Sequence, residues 1–197
     1  ILAGDLHGLN TLEHQPQKVA AMEGNWQTRS HAPLLLFALP DDAERKNHFE
    51  IGIPSGASLI LKHRADGVVP GLDDFVSAEG TPLHPPVAPV FWSFRVMVGV
   101  GLAMLAVSWL ASWKLRSLGG DRIPRWLLRV LVAMTFSGWV ATLAGWYTTE
   151  IGRQPWLVQG VMTTDMAVAD VPAPSELRVM GQKLRWGPSH EVRYSDP

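Results

Sequence analysis

The stretch from Pro89 to Trp113, PVFWSFRVMVGVGLAMLAVSWLASW, decides the fold of this 197-residue chain. From Val96 to Trp113 it contains no charged residue. A helix of that length rises about 27 Å, close to the roughly 30 Å hydrocarbon core of a bilayer. The stretch therefore predicts a transmembrane helix with Arg95 and Met97 near its amino-terminal end. Placing an arginine side chain in the middle of a bilayer costs about 3 kcal/mol of free energy. An arginine at this position therefore indicates that the residue has a functional role.

A second charge-free stretch runs from Val130 to Thr149 and ends on Glu150. Its small residues Ser137, Ala141 and Gly145 recur every four positions. That spacing lets a helix approach either another helix or a flat cofactor closely, and the spacing alone favours simple helix packing. The two stretches predict an all-α membrane protein with two transmembrane helices, about 90–114 and 126–150.

The charge pattern orients these helices. Residues 114–129 carry five Lys or Arg and one acid, whereas residues 1–94 carry six Lys or Arg and eleven acids. The positive-inside rule places the short basic connection in the cytoplasm and the long loop outside. The ends at Arg95–Met97 and Glu150–Arg153 then fall on the same, outer side.

The composition excludes several classes of protein. A formal net charge of −1 argues against a nucleic-acid partner. The absence of cysteine excludes disulfides, iron–sulfur clusters and thiolate-ligated haem. Any bound metal must therefore use His, Met, Asp or Glu. The nine tryptophans are many for this length, and several lie near the ends of the spans, where amphipathic rings favour the membrane interface.

The chain divides into four predicted regions: the end of a preceding transmembrane helix at 1–10, a long loop at 11–88, a transmembrane hairpin at 89–156, and an irregular, polar tail at 157–197. The chain opens with Ile1, and no secretory signal pattern precedes it. We therefore expect it to be a piece of a longer protein.

Within the loop, Lys18 to Trp26 has helical spacing that a solvated short helix would explain, and Thr11 to Glu13 has residues that cap a helix. Proline and glycine punctuate residues 30–80. There, residues 40–47 are expected to begin as a turn leading into a short helix. The segments 49–54 and 57–61 are expected to be extended pieces or a re-entrant apolar segment.

The end of the second span pairs a carboxylate with an arginine. Glu150 and Arg153 are three residues apart, so they share one face of a helix that Pro155 terminates. A surface ion pair that caps the helix is the other interpretation. The histidines His31, His48 and His63 are isolated in the sequence, and we interpret each as an ordinary surface residue.

Several of these strings together resemble subunit I of the cytochrome bd-type quinol oxidases, including its cyanide-insensitive branch with a short quinol loop. They occur in the order of that family and cover about residues 1–170. The Phe-Arg-x-Met and Glu-x-Gly-Arg-Gln-Pro-Trp strings are highly specific. The resembling strings are Gly4-Asp-Leu-His-Gly8, Gln15-Pro-Gln-Lys18-Val-Ala-Ala-Met22-Glu23, Gly52-Ile-Pro54, Val87-Ala-Pro-Val-Phe-Trp-Ser-Phe-Arg95-Val-Met97, Gly145-Trp146 and Glu150-Ile-Gly-Arg-Gln-Pro-Trp156.

The resemblance implies an enzyme of the bacterial inner membrane that oxidises quinol and reduces dioxygen to water. It implies a low-spin and a high-spin haem b, and a haem d or a b-type replacement. It further implies an oxidase subunit II as partner, a surrounding lipid membrane, and an extracytoplasmic quinol loop.

The resemblance also assigns roles to the haem-site residues. Met97 matches an axial ligand of the low-spin haem b iron, and Arg95 lies beside that haem, pairing with a propionate. Glu150 matches a carboxylate that serves the high-spin haem site as iron ligand or proton-handling group. Arg153 is then expected to neutralise a propionate or Glu150.

Two further residues match the quinol-binding pair of the family. Lys18 is expected to donate a hydrogen bond to a quinone oxygen, and Glu23 to accept a quinol proton.

Two departures from the family pattern limit this assignment. The remaining axial histidines belong to an amino-terminal half that precedes this chain, so the haem sites are incomplete here. The family also continues into another membrane helix after Trp156, whereas residues 171–197 look polar and unrelated. We therefore expect a truncated or frame-shifted copy, or a fragmentary gene model. The alternative function is a non-enzymatic, two-span membrane fragment that binds no haem by itself; an unrelated transporter would show internal repeats or broken helices.

Overall fold

The computed structural model describes residues 2–77, 80–118 and 124–167, together with the backbone of three strands beyond them. Contacts divide the chain into two units, residues 1–155 and 156–197. The helices are α1 (Leu2–His14), α2 (Pro16–Glu23), α3 (Gly56–Lys62), α4 (Val87–Leu118), α5 (Arg125–Ala133), α6 (Ser137–Ile151) and α7 (Thr164–Ala167). The strands are β1 (Leu34–Asp41), β2 (Lys46–Ile53), β3 (Trp156–Val158), β4 (Met162–Thr163), β5 (Leu177–Val179), β6 (Gln182–Trp186) and β7 (Val192–Tyr194).

Among the described residues, two helical segments, Val87–Ser117 and Arg125–Ile151, are long and apolar enough to cross a membrane. The prediction of two spans is confirmed, with the first beginning three residues earlier than expected. Pro89 lies in its first turn, where the missing amide hydrogen has no helical partner to lose. The second span consists of α5 and α6 joined by a 3₁₀ turn, Met134–Phe136, beside which Ser137 Oγ donates a hydrogen bond to Met134 O at 2.6 Å.

The start of α4 packs against the end of α6. Thr148 Oγ1 donates to Ser93 Oγ at 2.9 Å. One turn further along α4, the sulfur of Met97 lies against Gly145, where a Cβ would stand only 2.8 Å from Sδ. The two sequence motifs predicted to converge, around Arg95 and around Glu150, therefore lie at the same end of the helix pair.

The loop between α1 and α4 is more ordered than its composition indicated. β1 and β2 form an antiparallel hairpin that pairs Leu34 with Ile53 and Asp41 with Lys46. Its turn is fixed because Asp41 Oδ1 accepts the amide hydrogens of Ala43 and Glu44. The short helix expected within residues 40–47 is therefore wrong.

Other local expectations for the loop had mixed outcomes. The segment 49–54 lies mostly in β2 and is extended, whereas 57–61 is helical within α3. Residues 11–13 lie inside α1 and cap no helix. α2 is not a solvated helix, because six of its eight residues are buried, Lys18 and Glu23 among them.

Two apolar clusters hold the loop on the first span. Ala20, Ala21 and Trp26 pack with Leu72 and with α4 residues at positions 87 and 90. A second cluster joins the hairpin to α4 through three buried residues, Leu35, Ala38 and Phe91. These contacts fix α2 and β1 relative to the start of α4.

The second unit contains short antiparallel strands. β3 pairs with β4, and β5, β6 and β7 form a three-stranded sheet in that order. The segment predicted to be an irregular tail thus has regular backbone at these positions.

Phe91 is the side chain that anchors the hairpin to the helix, and it is fully buried. We expect Phe91→Ala to destabilise the loop by about 3–5 kcal/mol through the cavity that it leaves. Thermal denaturation of the detergent-solubilised chain should show a lower midpoint. The matched control is Phe136→Ala, because Phe136 is 71% exposed; an equal loss in both variants would contradict the anchoring role of Phe91.

Candidate functional site

A cavity of about 420 Å³ lies where α1, α2 and α3 meet α4 and α6. It brings together three residues that the sequence assigned to two different sites: Lys18 and Glu23 from α2, and Met97 from α4. The other residues of its mainly apolar lining are Gly4, His7, Gly8, Leu9, Thr11, Val19, Met22, Ile60, Leu61, Phe94, Gly145, Thr148 and Thr149.

Lys18 reaches from α2 across to the end of α6. Its side chain is buried, and its ammonium group lies 3.4 Å from the carbonyl oxygen of Thr149. Burial lowers the pKa of Lys18, the positive charge of Arg153 lowers it further, and the negative charge of Glu150 opposes both effects. The lysine is thus a buried cation whose proton is held less tightly than in water.

Glu23 ends α2 as a buried carboxylate. Its residue is 7% exposed, and Oε2 has no hydrogen-bond partner among the described residues. The nearest cationic atom is Arg95 Nη2, 3.8 Å from Oε2. Burial raises the pKa of Glu23, and the charge of Arg95 only partly offsets this effect. A buried carboxyl with a free oxygen at a cavity is suited to accept a proton from a bound molecule.

Arg95 faces the loop rather than the cavity lining. Its guanidinium donates to Leu35 O through Nε and Nη2, and to Met22 O through Nη1. It also lies 3.4 Å above the ring of Phe91. In this structure Arg95 therefore joins the start of α4 to β1 and to the end of α2, which carries Glu23.

Met97 presents a thioether to the cavity. Its Sδ lies against Gly145, so the small residue of α6 leaves room for the sulfur beside the space. A thioether is a soft ligand that suits haem iron and raises its reduction potential. The donor type and its position at an apolar cavity fit a residue that would hold a haem iron.

Glu150 and Arg153 lie at the end of α6 and outside the cavity lining. Their charged atoms are 3.9 Å apart, and the side chains are 48% and 51% exposed. Within the described residues this geometry matches the helix-capping ion pair that the sequence also allowed. Such an exposed pair contributes little stability.

The sequence analysis did not identify several residues of the site. Thr148 and Phe94 line the cavity; Phe94 belongs to the string that ends at Met97, and Thr148 lies in the charge-free stretch that ends at Thr149. Gly152 is buried against Lys18. Their contributions depend on contacts between segments far apart in the chain, for which a single sequence carries no signal.

Two further polar features lie on the loop. A cavity of about 260 Å³ is lined by Trp26, Arg29, Arg45 and neighbouring polar residues. Donor atoms of Asp41, Glu44 and His48 lie within 4.8 Å of one another. His48, expected to be an isolated surface histidine, thus sits beside two carboxylates.

The fold and the cavity define a helical membrane protein with a mainly apolar site at one end of a helix pair. Comparison with known sequences refines this class. The chain belongs to the family of cytochrome bd terminal oxidase subunit I, whose profile matches residues 1–181. The sequence analysis expected residues 171–197 to be unrelated to the family. Because the match extends to residue 181, that expectation is wrong for residues 171–181.

Similar proteins come from several bacteria. The chain is 35% identical over 175 residues to the cytochrome bd ubiquinol oxidase subunit 1 of Bacillus subtilis (strain 168), covering 85% of this chain and 37% of that protein. It is 29% identical over 224 residues to the cytochrome bd-II ubiquinol oxidase subunit 1 of Escherichia coli (strain K12), covering 82% and 43%. The chain therefore spans less than half the length of these relatives.

A solved structure shares the fold. The bd oxidase from Geobacillus thermodenitrificans superposes with a TM-score of 0.65 at 32% sequence identity, covering 82% of this chain and 36% of that one.

The buried carboxyl of Glu23 should titrate at an unusually high pH, because burial raises its pKa. The folded protein holds this proton more tightly than the unfolded chain does. The carboxyl thus contributes stability that is fully present below the ordinary glutamate pKa and is lost as the pH rises through the raised pKa.

We expect infrared titration of the folded protein to show a protonated carboxyl band that disappears at this raised pKa and is absent from Glu23→Gln. Glu13→Gln, which alters an exposed glutamate of α1, should keep the band. Persistence of the band in Glu23→Gln would mean that another group carries it.

Proposed function

We propose that this chain is part of the haem-containing catalytic subunit of a terminal quinol oxidase in an electron transport chain. The observation that carries this proposal is the single cavity that Lys18, Glu23 and Met97 line together. A proton acceptor and a hydrogen-bond donor suit a site where a quinol gives up its protons, and a thioether suits the ligation of a haem iron that would take its electrons. Membership of the oxidase family supports the same conclusion.

The chemistry of quinol oxidation follows from the two buried groups of α2. The Lys18 ammonium donates a hydrogen bond to one quinol oxygen and stabilises negative charge as the hydroxyl loses its proton. Glu23 accepts that proton at Oε2, the atom without a hydrogen bond among the described residues. The apolar lining contributed by residues such as Phe94 and Val19 accommodates the ring and excludes water.

The haem assignments extend this proposal. Met97 would hold the iron of a low-spin haem b, which when bound supplies one-electron transfer from the quinol. Arg95 would lie beside that haem. Its guanidinium bonds to backbone carbonyls of Leu35 and Met22, so in this chain its role is to hold Glu23 and the loop in place.

Glu150 and Arg153 would serve the oxygen-reducing side of the subunit. In this proposal the carboxylate acts as ligand or proton-handling group at a high-spin haem b and at a haem d or its b-type replacement, and the arginine neutralises negative charge beside it. Both side chains are about half exposed, so their partners would come from parts of the oxidase outside this chain. Oxidase subunit II and the other half of subunit I are the proposed partners, with dioxygen as the final electron acceptor.

We propose the bacterial inner membrane as the location, with residues 11–88 as an extracytoplasmic quinol loop. The excess of basic residues in 114–129 supports this orientation. Quinol protons released at Glu23 would then leave on the outer side.

The alternative is a non-enzymatic two-span membrane fragment that binds no haem alone. It is favoured by one observation: Glu150, which the oxidase proposal assigns to the high-spin haem site, lies outside the cavity lining and has a side chain that is 48% exposed. Membranes that contain only this chain distinguish the two, because a reduced-minus-oxidised optical spectrum without haem bands supports the alternative for the isolated chain.

Met97→Leu tests the haem assignment, since it nearly preserves the side-chain volume and removes the sulfur. In the complete oxidase we expect the low-spin haem b signal to shift or vanish while circular dichroism shows unchanged helix content. Met104→Leu is the control, because it makes the same change seven residues further along α4 and outside the cavity lining. An unchanged spectrum in Met97→Leu would rule out ligation by this residue.

Glu23→Ala tests the quinol assignment. We expect it to lower kcat for quinol oxidation about 100-fold or more, the usual contribution of a positioned general base, with haem content intact. Quinol-dependent oxygen consumption and the pyridine haemochrome assay of the purified oxidase measure the two quantities. Loss of haem from Glu23→Ala would instead indicate a structural role.

A further inference from the structure

Gly152 lies directly beneath the side chain of Lys18. Its φ of −66° is one that any residue adopts, so backbone conformation does not require glycine here. The space around this position does require glycine. A Cβ at Gly152 would collide most closely with the backbone carbonyl oxygen of Thr148, and it would also lie 3.0 Å from both Cγ and Cε of Lys18.

The contact brings the ammonium group to the last turn of α6. The amide of Arg153 bonds to Glu150 O at 3.4 Å instead of to Thr149 O, the carbonyl four residues back. This leaves Thr149 O to face Lys18 Nζ, 3.4 Å away. The negative end of the helix dipole also favours a cation at this position.

The same turn carries the charges that surround Lys18. The pKa of Lys18 responds to both Arg153 and Glu150, with burial as the larger influence. Lys18 therefore lines the same cavity as Glu23 and Thr149, and its charge lies in the field of the Glu150–Arg153 pair. The stem that joins them crosses the surface of Gly152.

We propose that Gly152 is a positioning residue for Lys18: the missing side chain sets the height of the ammonium group above the end of α6, and hence its reach into the cavity. This inference rests on the proposed role of Lys18 in quinol binding. This packing also couples the turn at Glu150–Arg153 to the quinol cavity. A side chain at Gly152 would displace both the lysine stem, which lines the cavity, and the turn.

The test is a double-mutant cycle in the complete oxidase, made from Gly152→Ala, Lys18→Ala, which removes the lysine stem that contacts Gly152, and the double variant. We expect Gly152→Ala to raise the KM for quinol about tenfold, as displacement of one charged hydrogen bond would, with little change in kcat. In the Lys18→Ala background, Gly152→Ala should raise KM no further. Gly138→Ala, at a glycine of α6 where a Cβ meets no atom within 4 Å, should leave KM unchanged.

Thermal denaturation midpoints of the same four proteins, wild type included, separate this inference from the proposed function. Non-additive midpoints for Gly152→Ala and Lys18→Ala support the packing of the lysine on the glycine, whatever KM does. Non-additive midpoints with an unchanged KM in Lys18→Ala overturn the quinol-binding role of Lys18 alone. Additive effects on both KM and the midpoint overturn the positioning role of Gly152, because the alanine would then act through the Thr148 carbonyl only.

Discussion

The arrangement of the site depends on the hydrogen bonds of the Arg95 guanidinium, whose side chain is only 12% exposed. The guanidinium bonds to two backbone carbonyls from separate loop elements, β1 and the end of α2, and it faces the carboxylate of Glu23 at 3.8 Å. A planar, fork-shaped cation satisfies several acceptors in one plane, which an ammonium group cannot do. The loop is thereby fixed to the start of α4, and the carboxyl group reaches the same cavity as Met97.

The sequence predicted the membrane helices because length and apolarity alone decide whether a helix crosses a bilayer. It also predicted that the Arg95 and Glu150 ends meet, since the two helices are joined by a short connection. The β-hairpin at residues 34–53 was harder to predict. Its turn depends on an aspartate that caps two amides and its stability on Phe91, which is about forty residues away.

The residues of the site fall into two groups: those that a sequence motif identifies, and those whose role depends on contacts made only in the folded chain. Lys18, Glu23 and Met97 were selected by motif, and the structure places all three around one cavity. Gly145 and Gly152 act by having no side chain beneath Met97 and Lys18. That property becomes visible only when the opposing side chain is placed, because a glycine in a helical sequence otherwise indicates only conformational freedom or close packing.

The 3₁₀ turn at Met134–Phe136 sets the rotational phase of the second span. Three residues at about 120° each, instead of about 100°, rotate α6 by about 60° relative to α5. In an unbroken α-helix, Leu127 and Thr148 would lie about 60° apart around the helix axis. The 3₁₀ turn adds about that rotation and so brings both residues to the same side of the axis. Both are in fact buried. The tight turn thus aligns two halves of a membrane helix, so that packing near its start and the cavity near its end occupy the same face.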